Sequence, residues 1–124
     1  MIEYTVKVWA NGIKFWYLND KLHREDGPAM EYANGDKYWC LNDKLHREDG
    51  PAIEYANGDK YWYLNGKCHR EDGPAIEYAD GNKFWFLSGE RITEEEHKRQ
   101  TSKVVEMTME EINKALGKQV KVVE

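Results

Sequence analysis

Residues 50–72 read GPAIEYANGDKYWYLNGKCHRED, and the same string, lightly edited, begins again at Gly27 and at Gly73. A divergent copy opens the chain, where Trp9-Ala10-Asn11-Gly12 aligns with Tyr32-Ala33-Asn34-Gly35. The step is 23 residues: Trp16, Trp39, Trp62 and Trp85 keep it, as do Leu18, Leu41, Leu64 and Leu87. His23, His46 and His69 keep it too, each followed by Arg-Glu-Asp-Gly-Pro-Ala. Self-similarity at this period marks stacked supersecondary units that share one continuous core.

The local chemistry of the unit is that of a β-hairpin. Asn-Gly between apolar residues predicts a two-residue type I′ turn. Centred on Asn57-Gly58, that turn sets Tyr55 opposite Lys60, Ile53 opposite Trp62 and Pro51 opposite Leu64. One sheet face then collects Ile53, Tyr55, Trp62 and Leu64, and the other Ala52, Glu54, Tyr61 and Tyr63. The face with Trp and Leu is expected to be the better buried. A second reversal follows at Asn19-Asp20, Asn42-Asp43, Asn65-Gly66 and Ser88-Gly89, residues that tolerate left-handed backbone. As a two-residue loop, Asn65-Gly66 places Cys68 opposite Tyr63 and His69 opposite Trp62. The Asp-Gly-Pro triplets at 26–28, 49–51 and 72–74 are expected to bend the chain, glycine allowing a corner and proline withholding a ladder donor.

The fold class that follows is mainly β: a tandem β-hairpin repeat, twisted into an antiparallel meander over residues 1–92. Residues 93–124 read as a helical C-terminal cap. Thr93-Glu94-Glu95-Glu96 forms a capping box, followed by Glu94/Lys98 and Glu95/Arg99 pairs on a helix with no apolar stripe; His97 on it is expected to be solvated. A second capping box runs from Thr108 to Glu111, with Met109, Ile112 and Leu116 on one face and Gly117 as the stop, and Lys118 to Val123 can finish as a strand.

Composition narrows the function. Hydrophobic residues make up 40% of the chain and aromatics 13%, a share that suits a thin sheet better than a deep core. The formal charge of -5 is spread evenly, without the basic footprint that duplex nucleic acid requires. Cys40 and Cys68 occupy different columns of the repeat, Cys40 replacing an aromatic and Cys68 a leucine, so they read as separate apolar substitutions and point to a reducing, cytoplasmic setting. No apolar run is long enough for a membrane span.

Three columns of side chains invite a chemical reading. The His-Arg-Glu-Asp series resembles a base with an orienting carboxylate, for instance His46 with Asp49 or His69 with Asp72. Near-identical copies favour a structural role, in which Arg and Asp tie one hairpin to the next and His packs beside Trp; catalysis needs one asymmetric constellation. Equivalent histidines two strands apart lie about 10 Å from one another, too far to share a metal ion. Trp16, Trp39, Trp62 and Trp85 are expected to be sheet core with the leucine column. Phe15, Tyr38, Tyr61 and Phe84, with Tyr17, Tyr63 and Phe86, share the opposite face, which is expected to stay partly open as a binding surface rimmed by charge.

The spacing Asn-Gly-x-Lys-x-Trp-x-Leu-Asn-Gly-x-x-His-Arg-Glu-Asp-Gly-Pro-Ala resembles a variant of the MORN repeat (membrane occupation and recognition nexus) over about residues 5–92. The tandem form at Trp62 to Ala75 is similar to uncharacterised proteins of bacteriophages and giant DNA viruses, and such variants occur in antitoxin-like bacterial proteins. The resemblance implies a β-hairpin array with a binding role and carries no catalytic mechanism. The His-Arg-Glu-Asp-Gly-Pro segment departs from the usual MORN pattern, which, with the net acidity, speaks against phosphoinositide binding. The expectation is a non-enzymatic protein-binding module without cofactor or metal. If viral, it would act in the host cytoplasm as an inhibitor of a host defence protein such as a nuclease complex. Exposed edge strands would also allow a homodimer. The alternative is a small-ligand or nucleotide binder, with the aromatic columns stacking on the ligand and Arg24, Arg47 and Arg70 holding phosphates.

Overall fold

The computed structural model describes residues 3–102; the expected second helix and final strand lie outside them. The divergent first unit supplies β1 (Thr5–Val8), β2 (Lys14–Leu18) and β3 (Lys21–Leu22). The second unit supplies β4 (Met30–Glu31), β5 (Lys37–Tyr38), β6 (Cys40–Leu41) and β7 (Lys44–Leu45). The third repeats this as β8 (Ile53–Glu54), β9 (Lys60–Tyr61), β10 (Tyr63–Leu64) and β11 (Lys67–Cys68). The fourth gives β12 (Ile76–Glu77), β13 (Lys83–Leu87) and β14 (Glu90–Ile92). The main sheet is an open antiparallel meander in the order β1-β2-β4-β5-β8-β9-β12-β13-β14. The expected mainly-β, tandem-hairpin architecture is therefore what the chain adopts.

Two rows of side chains cross the sheet. Lys14, Glu31, Lys37, Glu54, Lys60, Glu77 and Lys83 alternate in sign from strand to strand, so each glutamate sits between two lysines. The adjacent row is Phe15, Met30, Tyr38, Ile53, Tyr61, Ile76 and Phe84. Cross-strand pairs of these kinds are the stabilising unit of a sheet, and here the 23-residue step copies them.

The register across the first turn differs from expectation by one residue. Ile53 pairs with Tyr61, not Trp62, and Glu54 with Lys60. The turn holds three residues between Tyr55 and Asp59: Gly58 N–H donates to Tyr55 O (3.0 Å) and Tyr55 N–H to Asp59 O (3.0 Å). Only Gly58 has positive φ (101°), because Asn57 spends its side chain locally, its Oδ1 accepting Asp59 N–H at 2.9 Å. A single-residue shift exchanges faces, so Ile53, Tyr55 and Tyr61 share one side while Ala52, Glu54 and Trp62 share the other. Asp59 also reaches the next unit, where its Oδ1 accepts Ala79 N–H at 2.7 Å, as Asp36 does for Ala56.

The second turns follow expectation. Asn42-Asp43 (φ 50° and 66°) and Asn65-Gly66 (φ 49° and 80°) are left-handed at both centres, and Tyr63 pairs with Cys68. These short hairpins dock on one another through Asp43 N–H to Leu22 O (2.9 Å), Gly66 N–H to Leu45 O (2.8 Å) and Gly89 N–H to Cys68 O (2.8 Å).

The core is made of small side chains: Ala29, Ala52 and Ala75 are fully buried, with Cys40, Cys68, Ile53, Pro28 and Pro51 beside them. The tryptophans and the leucine column, expected as core, are only half-buried. The chain bends at 25–27, 48–50 and 71–73. After β14, Thr93 caps a helix at residues 94–102, its Oγ1 accepting Glu96 N–H at 3.1 Å. Lys98 pairs with Glu94 as expected, but Arg99 pairs with Glu96 rather than Glu95.

Candidate functional site

The His-Arg-Glu-Asp-Gly-Pro segment folds around its arginine, here Arg47. Its guanidinium carbon lies over the Trp39 ring, 3.9 Å from the centroid. Nε donates to Asp49 Oδ1 (3.0 Å), and Nη1 to Pro51 O (3.1 Å) and Glu54 Oε1 (3.3 Å). The guanidinium also lies close to Gly50, where an added Cβ would come to 3.0 Å from Cζ. Arg24 on Trp16 and Arg70 on Trp62 repeat the arrangement, both 3.9 Å from the centroid, against Gly27 and Gly73. The φ of these glycines lies outside the left-handed region, so it is room beside the stacked guanidinium, and not the backbone freedom expected, that favours glycine at these bends. The Arg70 hydrogen bond also holds the Asp72 carboxyl below its ordinary value.

Two side chains of this segment tie one unit to the next: arginine, through Glu54 for Arg47, and histidine, through a backbone amide. Asn42 N–H donates to Nδ1 of His23 (3.0 Å), Asn65 N–H to His46 (2.9 Å) and Ser88 N–H to His69 (2.8 Å). A backbone amide can only donate, so Nδ1 is the unprotonated nitrogen and Nε2 faces the glutamate two residues on, 3.6 Å away for His46 and Glu48. The Arg–Asp contact spans only two residues within one segment.

Between successive bends lie two equivalent clefts. One, of about 620 Å³, has Pro28, Trp39 and Leu41 on its floor; its successor, about 610 Å³, has Pro51, Trp62 and Leu64. The rim of the first carries Glu25, Asp26, Glu48 and Asp49 against only Arg24 and Arg47, whose guanidiniums are already bonded. The cleft is therefore acidic and apolar-floored. Each unit adds two strands to the main sheet, so the clefts recur about every 10 Å along it.

The opposite side carries the columns expected to bind. Trp9, Phe15, Tyr32, Tyr38, Tyr55, Tyr61, Tyr78 and Phe84 form one unbroken series of edge-to-face contacts, 5.1 to 6.1 Å between successive ring centroids. Tyr32, Tyr55 and Tyr78 belong to it although they are absent from the columns expected to bind; their constant position before Ala-Asn-Gly or Ala-Asp-Gly was the available signal. Burial, together with the neighbouring Tyr55 hydroxyl, raises the Tyr38 phenol; the Tyr78 hydroxyl and burial raise that of Tyr61. Tyr17, Tyr63 and Phe86 stand on the second hairpins, Tyr17 beneath Lys7 and Tyr63 opposite Cys68, so they are set apart from this series. Cys40 and Cys68 are free and buried, and burial pushes both thiols up to about 11.

His97 departs most from expectation. It is 4% exposed, and its Nε2 donates to Arg70 O at 2.6 Å.

These features define an open antiparallel β-hairpin repeat protein with an acidic, clefted face and a tyrosine-rich one. No family model matches the chain, and no curated protein matches it either. No helix among the described residues is long and apolar enough to cross a membrane.

Proposed function

We propose that this chain is a non-enzymatic protein-binding module of MORN-like repeats, and that the clefted tryptophan face is its binding surface. The observation that carries the reading is the recurrence of one cleft at a fixed step, with Trp39 and Leu41 or Trp62 and Leu64 on the floor and carboxylates on the rim. A partner spanning both clefts gains from each, an arrangement that suits an extended macromolecular surface better than a small molecule. The aromatic rings of the opposite face already satisfy one another edge to face, leaving less for a partner to cover.

The nucleotide alternative asks Arg24, Arg47 and Arg70 to hold phosphates. Each instead stacks on tryptophan and bonds an aspartate and a proline carbonyl within an acidic rim, so an added phosphate meets repulsion. Catalysis by His46 or His69 is disfavoured because Nδ1 of each accepts a backbone amide, and each repeats its neighbour's surroundings. The extension to an inhibitor of a host defence protein rests on the sequence resemblance alone.

Affinity purification of the tagged full chain, followed by identification of what it retains, tests the reading. A stoichiometric protein partner is expected. Recovery of none, with a thermal upshift of several degrees on adding a nucleotide, would transfer the function to small-ligand binding.

A further inference from the structure

β1 is the outermost strand of the main sheet, and its free edge is unlike the strand edges inside the molecule. Trp9 N–H donates to Ile13 O at 2.9 Å, so by the alternation of an antiparallel ladder Val6 and Val8 point their N–H and C=O groups away from β2. No described residue meets them there. In the 23-residue step Thr5, Val6 and Val8 stand where the second unit has Pro28, Ala29 and Glu31. The proline that blocks a ladder is gone, and the charge of the glutamate with it. β1 is accordingly four residues long where β4, β8 and β12 have two. Among the described residues the exposed large apolar side chains are Val6 (37%), Val8 (61%) and Trp9 (45%), all at this edge. An edge strand left in water is normally blunted by charge, proline or a bulge. Here the one charge on the strand is Lys7, and its Nζ lies over the Tyr17 ring, 5.0 Å from the centroid.

The joints inside the chain show which strand does not fit this edge. There each unit meets the next through opposite charges, Lys14 with Glu31, Lys37 with Glu54 and Lys60 with Glu77. A second copy added head to tail would set Val8 against Lys83 and aim its Asn19 N–H at Ile92, which stands in place of the histidine acceptor of the inner joints. β1 instead matches itself. We infer that β1 pairs antiparallel with β1 of a second copy of this chain, about a two-fold axis at Val6, so that two sheets become one. The outward N–H and C=O of Val6 then bond the partner's Val6, Lys7 falls opposite the partner's Thr5, and Val8 opposite the partner's Tyr4. An axis at Lys7 would oppose two like charges, which destabilises a strand pair. Tyr4, Val6 and Val8 lie on the Trp16 side of β1, Tyr4 edge-on to that ring at 6.0 Å, so the pairing closes one apolar strip across the joint. One strand from each copy is a small interface, and half dissociation is expected at about 0.1 mM. No residue of β1 lines a cleft between bends, so the dimer leaves those clefts open.

Sedimentation equilibrium of the full chain from about 10 μM to about 1 mM tests the pairing, with a dimer expected to grow in across that range. Val6→Lys and Val6→Glu should each be monomeric throughout, while their equimolar mixture dimerises, because residue 6 meets its own counterpart. Val8→Glu restores the residue of the inner units opposite Lys14, which keeps the fold, and should weaken the dimer about tenfold. In the parent, hydrogen exchange at the Val6 and Val8 amides should slow about fourfold between the two concentrations, as the free fraction falls. A parent that stays monomeric at about 1 mM would overturn the inference, as would a dimer that all three variants keep. A mixture of the Lys and Glu variants that stays monomeric would overturn the pairing at Val6. Slow exchange at Val6 and Val8 that ignores concentration would overturn the second copy as the occupant and give the edge to residues 103–124 of the same chain.

Discussion

Gly50→Ala offers a test of the packing logic that can be separated from every general effect of the substitution. At this φ, alanine ordinarily stabilises by about 0.4–1 kcal/mol, because it restricts the unfolded chain. Here the new Cβ would meet Arg47 Cζ at 3.0 Å, while the same carbon lies 3.9 Å from the Trp39 ring centroid. The guanidinium must slide. Stacking on tryptophan is worth about 0.5–2 kcal/mol and a charged donor to a carbonyl about 1.5–3 kcal/mol. Partial loss of both, set against the unfolded-state gain, gives a net cost of about 2 kcal/mol. Arg47→Ala alone should cost about 3 kcal/mol, since the carbonyl of buried Pro51 loses its donor. The two must couple: in the Arg47→Ala background Gly50→Ala should cost nothing or stabilise slightly. Urea denaturation of the four proteins, followed by tryptophan fluorescence, measures the cycle. An equal cost of Gly50→Ala in both backgrounds would show that glycine is there for a backbone reason, and the account of the bend would be wrong.

The histidine tie predicts that His46→Ala costs about 1–3 kcal/mol by stranding the Asn65 amide, while His46→Asn, whose Oδ1 can accept at a similar reach, recovers part of it. Chemical denaturation of both variants checks this; equal destabilisation would remove the hydrogen bond from the explanation. Burial of Cys40 and Cys68 raises their folded-state values, so their stabilisation is fully present below the ordinary thiol value near 9.0 and is lost as pH rises toward about 11. Stability should fall across that window by about 2 kcal/mol per thiol, as the linkage relation gives for a two-unit rise. Serine replacement of both cysteines should flatten the fall, and the folded protein should react with a thiol reagent only after unfolding. The raised Tyr38 and Tyr61 phenols add a further loss above the ordinary tyrosine value of 10.0. Deleting residues 50–72 should leave a folded protein one unit shorter, with the circular dichroism of the parent and a smaller denaturant dependence. Collapse to an unfolded chain would show that the units are not interchangeable.

The repeat step, the second turns and the bend positions could be read directly, because each rests on residue types with narrow backbone preferences recurring in register. Tyr63 opposite Cys68 followed from the two left-handed centres at Asn65-Gly66. The first turn differed because Asn-Gly serves two hairpin geometries, and in this one Asn57 Oδ1 accepts the Asp59 amide, an Asx-turn that Asn-Gly alone does not distinguish from the two-residue loop. That one residue moved Tyr61 to the other face and with it the whole assignment of rings. Gly50 carried an ambiguous signal too, since a glycine beside proline looks like a backbone need until the arginine folded over it is seen. The depth of the core was hidden because arginine covers tryptophan, so the largest apolar side chains lie under charge while alanines take the interior. His97 gave no pattern to read, being the one histidine outside the 23-residue step. Its partner is a main-chain carbonyl 27 residues away.

The sharpest measurement compares one co-purified partner against two variants of matched stability. One carries Glu25→Lys and Glu48→Lys in the first cleft, and the other Tyr38→Ser on the aromatic face. If the clefts are the binding surface, the charge reversals weaken the partner by about tenfold or more while Tyr38→Ser binds as the parent does. Full affinity in the cleft variant with loss in the tyrosine variant would contradict the assignment.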